Sequence, residues 1–217
     1  MIQNLQLRND VYRRPLATAL ERLDIEPGFT CVDVGAGGGD VSVALAQLTG
    51  KNGRVYAVDI DPQSRDLTAK AAATAHAQVI AITQSAEELK LPEKVDLAFC
   101  RFLLLHVHTP LAVIKKMKQA IKPNGWVVIQ EPVTTAGRID LMPLSMPDAR
   151  HQDIGAELPK LILESGLKLI DVWAEAPVGI KEGPVIEYLH FLTETDPGDD
   201  PVILPPLVTA IAKNLAG

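Results

Sequence analysis

Phe29-Thr-Cys-Val-Asp-Val-Gly-Ala-Gly-Gly-Gly-Asp40 decides how this chain is read. Phe29 to Val34 is apolar and partly β-branched, follows the turn Glu26-Pro27-Gly28, and reads as a short buried strand. Gly35 to Gly39 forms a turn in which the chain can take up positive φ. Beyond it, Val41, Ala44, Leu45 and Leu48 recur at helical spacing, and Gly50 is placed to close the helix. A strand, a glycine turn and a helix in that order aim backbone N–H groups at a ligand beyond the strand's end.

The same rhythm continues downstream. Arg54 to Asp59 is a second strand, and Asp61-Pro62 reads as N-cap and first residue of a helix running to His76. Gln78 to Ile82 is the third strand, Ser85 to Leu89 a turn, and Val95 to Cys100 the fourth strand. Thr109-Pro110 opens a capped helix that buries Leu111, Ile114, Met117 and Ile121. Pro123-Asn124-Gly125 then turns into a fifth strand, Trp126 to Gln130. Alternation at this spacing predicts right-handed βαβ units in an α/β, doubly wound, mostly parallel sheet with helices on both faces.

Both ends of the chain depart from the rhythm. Leu5 to Leu23 carries a helical stripe through Leu7, Val11, Leu16, Leu20 and Leu23, and Pro15 predicts a break in it. Pro132 to Arg150 has no clear period and is expected to lie as an insertion over the sheet's edge. A helix around Asp153 to Ser165, a strand from Lys168 to about Ala176, a short lid helix from Pro184 to Leu192 and a final strand from Leu207 to Lys213 complete the chain. The expected organisation is one domain over 1–217. It comprises a helical cap at 1–28, a cofactor-binding core at 29–131, and acceptor-side insertions with the final strands at 132–217.

Bulk properties narrow the function. With 47% apolar and 22% charged residues the composition is that of an ordinary globular protein. A net charge of −6 without a basic stripe argues against nucleic acid. The two cysteines, Cys31 and Cys100, sit in apolar strands and are too few for a disulfide framework. Met1 to Arg14 lacks the apolar core of a signal peptide, and no apolar run is long enough to span a bilayer, so a cytoplasmic protein without a membrane partner is expected. A homodimer is left open.

Ligands of such sheets bind beyond the strands' carboxyl ends. Asp33, Gly35 to Gly39, Asp59 to Asp61, Ser85 to Glu87 and Arg101 to His108 fall there. An acid ending the second strand, about 20 residues past the glycines, suits the ribose hydroxyls of an adenosine-containing ligand. The dinucleotide fingerprint needs glycine at position 40, where this chain has Asp40. A carboxylate at the helix N-terminus repels a pyrophosphate. S-adenosylmethionine carries no phosphate, so it fits where NAD does not.

The segment Val32-Asp-Val-Gly-Ala-Gly-Gly-Gly39 resembles motif I of class I S-adenosylmethionine-dependent methyltransferases. Val58-Asp-Ile-Asp-Pro62 is similar to motif II, Ser85-Ala-Glu-Glu-Leu89 to motif III, and Val95-Asp-Leu-Ala-Phe-Cys-Arg101 to motif IV. Leu105-His106 with Leu111, and Lys122-Pro-Asn-Gly-Trp126, match the stretch that follows. The resemblance implies a Rossmann-like sheet of seven strands with an antiparallel last strand, S-adenosylmethionine as cofactor, and a small-molecule methyl acceptor. It implies that Asp33 holds the methionine ammonium, and that Gly35, Ala36 and Gly37 let the backbone approach. Asp59 would bind the ribose, Ile60 pack on the adenine, Ala86 contact its edge, and Cys100 or Arg101 present a carbonyl to the methionine part. Ser85 stands where the family commonly has an aspartate, and its hydroxyl is a weaker acceptor for the adenine amino group.

Each assignment has a plainer counterpart. Asp33 could be a turn former, although an acid there is hard to bury without a partner. Asp61 reads as a helix cap rather than a ligand. His106 and His108 lack a third ligand at suitable spacing, so no metal is assigned. His106 and Glu131 are the candidate bases for an acceptor hydroxyl or carbon, and Glu131 is equally readable as a satisfied structural carboxylate. Met142, Met146, Trp173, Tyr188 and Phe191 are read first as packing and second as lining of an acceptor pocket. Two rival functions stand beside methyl transfer: a non-catalytic S-adenosylmethionine-binding module, and an NAD-linked dehydrogenase. Asp40 and the lack of a Tyr-x-x-x-Lys pair weaken the dehydrogenase.

Overall fold

A computed structural model describes residues 2–139, 142–143, 149–193 and 196–215. Two N-terminal helices, α1 (Ile2–Val11) and α2 (Arg13–Glu21), precede β1 (Thr30–Val34), α3 (Asp40–Thr49), β2 (Arg54–Asp59) and α4 (Pro62–Thr74). β3 (Val79–Thr83), a single 3-10 turn at Ala86–Glu88, β4 (Val95–Arg101), α5 (Pro110–Ala120) and β5 (Ile121–Pro132) follow. The remainder holds β6 (Arg138–Ile139), β7 (Met142–Pro143), α6 (Ile154–Glu164), β8 (Lys168–Glu175), β9 (Val178–Gly179), α7 (Pro184–Thr193), β10 (Val202–Ile203) and β11 (Leu207–Lys213).

Seven strands form the main sheet in the order β3-β2-β1-β4-β5-β11-β8. The strands from β3 to β5 pair in parallel, and β11 runs antiparallel between β5 and β8. The expected mostly parallel sheet with an antiparallel last strand is therefore borne out. β1 and β4 are apolar on both faces because helices cover both. Val32, Val34, Ala98 and Cys100 pack with α5 and α6, through Val113, Ile114, Met117, Leu158 and Ile162. Their sequence neighbours Cys31, Leu97 and Phe99 point the other way, against Leu16 and Ala19 of α2 and Val41 and Leu45 of α3. Both cysteines are free and buried; burial pushes the Cys31 thiol up to about 12 and Cys100 well above its ordinary value, which disfavours the thiolate form of each. Among the described residues, no helix is long and apolar enough to cross a membrane.

The chain order reverses direction at β1, with β2 on one side and β4 on the other, and the crevice beyond their carboxyl ends is the switch point. Asp61 caps α4 as expected, accepting from Gln63 N at 2.9 Å with Pro62 at the first helical position. Thr109 precedes α5 without a side-chain cap, and its N–H donates instead to Glu87 Oε1 at 3.2 Å.

The N-terminal stretch forms the expected two-part helix, broken at Tyr12, with Pro15 in the first turn of α2. A proline removes the bond to the carbonyl four residues before it, so the interruption falls upstream, at Val11. The turn before Trp126 is a bulge inside β5: Val95 pairs with Ile121 but Leu97 with Trp126, and Asn124 adopts a φ of 61°. Residues 132–150 are not merely an irregular insertion. Their β6 and β7 join β10 and β9 in a second sheet, ordered β7-β6-β10-β9, built from strands of two residues each. Met146 lies outside the described residues.

Candidate functional site

The glycine loop is bound to the second strand before any ligand is considered. Gly35 N and Ala36 N both donate to Val58 O, at 2.7 and 3.1 Å. Gly35, Gly37 and Gly39 take φ values of 79°, 52° and 86°, a region costly for residues with a Cβ. A Cβ on Gly39 would also stand 3.0 Å from the backbone of Thr68, so α4 requires glycine there as well.

Asp59 ends β2 with its carboxylate turned back toward this loop. Oδ2 accepts from Gly37 N and Oδ1 from Asp61 N, each at 2.9 Å. A carboxylate offers about four acceptor sites, so each oxygen retains capacity for a ligand hydroxyl. Ile60, the next residue, is 71% exposed. A large aliphatic side chain is thus held open beside a carboxylate at the strand's end. Gln84 N donates to Asp59 O at 2.9 Å and brings the end of β3 alongside. There Ser85 Oγ accepts from Glu87 N at 3.2 Å and caps the 3-10 turn at Ala86–Glu88, a local role that the sequence reading did not include. Ala86 is half-buried against the core.

Asp33 lies at the centre of the crevice, 1% exposed, accepting from Ser42 Oγ at 2.6 Å. Burial pushes its carboxyl up to about 7. Asp40 and Asp59 raise it further, against the lowering effects of Ser42 and Arg101. An ammonium arriving beside it would favour the ionised form.

Arg101 ends β4, and its side chain organises the region. Nη2 stands 2.7 Å from Asp40 Oδ2 and 3.0 Å from Asn9 Oδ1, and Nη1 donates to Tyr12 O at 3.3 Å. This ties β4, the N-terminus of α3 and both N-terminal helices together. Asn9 and Tyr12 were missed from sequence. The available signal was Asp40 itself, an acid in a first helical turn that needs a counter-charge once a roof covers it. The roof is apolar: Leu103 Cδ1 lies 2.9 Å from where a Gly35 Cβ would be, and Leu5 lies 3.6 to 3.9 Å from the corresponding points on Gly38 and Gly37. A cavity of about 510 Å³ between α1, α3 and α4 touches Gly38, Gly39 and Asp40 from behind; Asp33, Asp59 and Ile60 are not part of its lining.

Glu131, expected at the acceptor, is fully buried at the end of β5. Oε1 accepts from Leu103 N at 2.8 Å and Leu104 N at 2.7 Å, and Oε2 from Leu105 N at 3.4 Å. Burial raises its carboxyl to about 7 in spite of these three donors. The carboxylate thus shapes the turn after β4, which favours the structural of its two readings. His106 and His108 are exposed on that turn. Among the described residues no three His, Cys, Asp or Glu side chains cluster as a metal site. Trp173 packs under Arg22, 4.0 Å from its guanidinium, with Nε1 donating to Glu175, so it serves the far face of the sheet. Tyr188 is buried edge-on to Tyr12, and Phe191 is exposed.

Residues 32–129 match the family described as methyltransferase domain. Over 101 residues the chain is 35% identical to a ubiquinone biosynthesis O-methyltransferase of Xanthomonas campestris, covering 46% of this chain and 41% of that one. Over 113 residues it is 30% identical to a demethylmenaquinone methyltransferase of Bacillus licheniformis, covering 52% and 48%. The matched stretch thus spans less than half the length of these relatives. The crystal structure of a SAM dependent methyltransferase from Aquifex aeolicus superposes with a TM-score of 0.65 at 17% identity, covering 92% of this chain and 89% of that one, and shares the fold.

Proposed function

We propose that the chain is a class I S-adenosylmethionine-dependent methyltransferase that transfers a methyl group from that cofactor to a small-molecule acceptor, a reading supported by the match of residues 32–129 to the methyltransferase domain and by the likeness to methyltransferases. The observation that carries the reading is the pair Asp59 and Ile60. It consists of a carboxylate with spare acceptor capacity on both oxygens beside an aliphatic side chain 71% exposed, at the mouth of the glycine loop. Asp59 takes the ribose hydroxyls, Ile60 covers one face of the adenine, and Ser85 and Ala86 meet its edge. Asp33 attracts the methionine ammonium, and Gly35, Ala36 and Gly37 admit it closely.

Bound there, the cofactor supplies a methyl on a sulfonium whose leaving group is a neutral thioether. What the chain contributes is position: Leu103 and Leu5 cover the loop, and the turn fixed by Glu131 would line the acceptor's side of the crevice and orient the acceptor toward the methyl. His106, exposed on that turn, is the base for an acceptor hydroxyl or carbon. The names of the relatives carry quinone chemistry, and we extend to this chain only a small organic acceptor, bound by residues of 132–217. Because Glu131 is occupied by three backbone donors, a module that binds the cofactor without turnover is the second reading.

Isothermal titration with S-adenosylhomocysteine and NAD tests the cofactor, and methyl-label transfer with mass spectrometry of the product tests turnover. Binding of NAD with no binding of S-adenosylhomocysteine would overturn the proposal. Binding of the nucleoside without label transfer in a single turnover would select the non-catalytic module.

A further inference from the structure

Tyr188 is 3% exposed, yet its hydroxyl bonds to nothing among the described residues. Its neighbour Tyr12, edge-on with ring centroids 6.4 Å apart, donates its own hydroxyl to Pro205 O at 3.0 Å. The Tyr188 oxygen is not sealed in either. Among the described residues the sealed side-chain atoms without a partner are Arg8 Nε and Gln130 Oε1. The ring is therefore packed while its oxygen faces an opening, the disposition of a tyrosine that meets a ligand with its polar tip.

The fold places this tip on the acceptor's side of the crevice. Tyr188 lies on α7, which packs against α1. Its cluster includes Phe102, just past the end of β4, and Leu207, which pairs with Pro132 at the end of β5. Burial raises the ionisation of its hydroxyl and the fields of Arg8 and Arg101 lower it, so the oxygen lies within reach of both guanidiniums. In the proposed reading the ribose and ammonium of the cofactor fall to Asp59 on β2 and Asp33 on β1. What binds beyond β4 and β5 is then the acceptor. The walls there are aromatic. The rings of Tyr12 and Phe102 meet edge to face at 5.0 Å, and Phe102 holds its place with a φ of 53°, costly for a bulky residue.

We propose that Tyr188 is an acceptor-binding residue, its hydroxyl donating a hydrogen bond to a hydroxyl or carbonyl oxygen on an aromatic acceptor. The inference rests on the methyltransferase reading and names an acceptor class for it. The Tyr12 and Phe102 rings suit a flat apolar body, and the single donor orients that body by its oxygen. A site built around such a bond rejects the analogue that lacks the oxygen.

The probes are 1-naphthol and naphthalene, which share one ring system and differ by a hydroxyl. Both are titrated by fluorescence into the native protein and Tyr188→Phe, each saturated with S-adenosylhomocysteine. The native protein should bind 1-naphthol tighter than naphthalene by roughly fivefold or more, the effect of one hydrogen bond. Tyr188→Phe should erase that difference and bind S-adenosylhomocysteine within about twofold of native. In thermal unfolding of the free protein, Tyr188→Phe should keep or raise the midpoint, whereas Tyr12→Phe, which loses the bond to Pro205, should lower it. Equal affinity of the native protein for the two probes, or binding of neither, would overturn the proposal. So would equal losses of both probes in Tyr188→Phe, which mark a packing role, or a weakened nucleoside, which would turn the hydroxyl toward the cofactor. A midpoint lowered as far as in Tyr12→Phe would show a partner within the protein and overturn it too. Failure of the native protein to bind S-adenosylhomocysteine would instead strike the methyltransferase reading on which the proposal stands.

Discussion

Asp40 Oδ2 and Arg101 Nη2 meet at 2.7 Å, joining the first turn of α3 to the end of β4 across the crevice. The Arg101 side chain is 3% exposed and that of Asp40 25%, so the pair is largely removed from water. The carboxylate occupying the place of the fingerprint glycine therefore has two effects. It disfavours a pyrophosphate, and it neutralises a cation that the fold has buried. The ion pair that braces the site thus runs through the same carboxylate that was expected from sequence to keep a pyrophosphate away.

Removing one member of a buried pair leaves the other charged and unpaired, which costs about 3–5 kcal/mol. Because Asp40 retains some solvent, Asp40→Ala is expected to lower stability by about 2–3 kcal/mol in urea unfolding. Asp40→Ala combined with Arg101→Met should recover a large part of that loss, since no lone charge remains. Additive losses in the double variant would show that the pair does not act as a unit.

Asp59 serves loop and ligand together. Asp59→Ala should weaken S-adenosylhomocysteine by about 1.5–3 kcal/mol, the range for hydrogen bonds to a charged group. Because Gly37 N also loses its acceptor, amide exchange at Gly37 should quicken even without ligand. A folded variant with native affinity would remove Asp59 from the ribose site.

Asp33 gives a pH dependence with opposite signs for stability and binding. Its carboxyl moves from 3.8 to about 7 on burial, and Glu131 moves in the same direction, from 4.5 to about 7. Between those limits the folded chain holds protons that the unfolded chain has released, so stability of the free protein falls as pH rises and levels off above about 7. Asp33→Asn should flatten part of that slope in thermal unfolding. Affinity for S-adenosylhomocysteine should rise over the same interval, because the ionised carboxylate attracts the ammonium. An affinity that is flat from about pH 5 to 7.5 in the native protein would argue against an ionising Asp33 at the ligand.

Where the sequence succeeded and failed follows from the range of the forces involved. Val32-Asp-Val-Gly-Ala-Gly-Gly-Gly39, the acid at 59 and the strands around them were legible because local spacing dictates each one. Arg101 was placed correctly at the end of β4, but its partner lies 61 positions away on α3, and nothing local reports such a pairing. Glu131 left two readings open, and the three N–H groups of Leu103 to Leu105 converging on it, which favour the structural one, come from a segment 26 to 28 positions away. The second sheet was invisible because strands of two residues carry no period, and its order draws on residues from 138 to 203.

That second sheet also limits which part of 132–150 can be replaced. The whole of 132–150 is not an expendable insertion, because its ends belong to the scaffold. Val133 N donates to Pro206 O at 3.0 Å, and Thr134 N and Oγ1 both donate to Gln152 O, at 2.9 and 2.6 Å. Thr135 reaches the Asp153 carboxylate through its N–H and hydroxyl, at 3.0 and 2.8 Å. Arg150 N and His151 N return to Leu105 O, at 2.9 and 3.2 Å, and so brace the turn that Glu131 shapes. Between these anchors, β6 and β7 pair only within the small sheet. Replacing 138–148 by a short Gly/Ser linker should therefore leave β10 paired with β9 and the main sheet intact. If 132–217 carries the acceptor site, the variant should bind S-adenosylhomocysteine within about threefold of native while losing turnover, since only acceptor contacts are removed. The checks are titration of the nucleoside and methyl-label transfer on the same preparation. Full turnover in the folded variant would exclude β6 and β7 from the acceptor site, and lost nucleoside affinity would show that the small sheet supports the cofactor crevice itself.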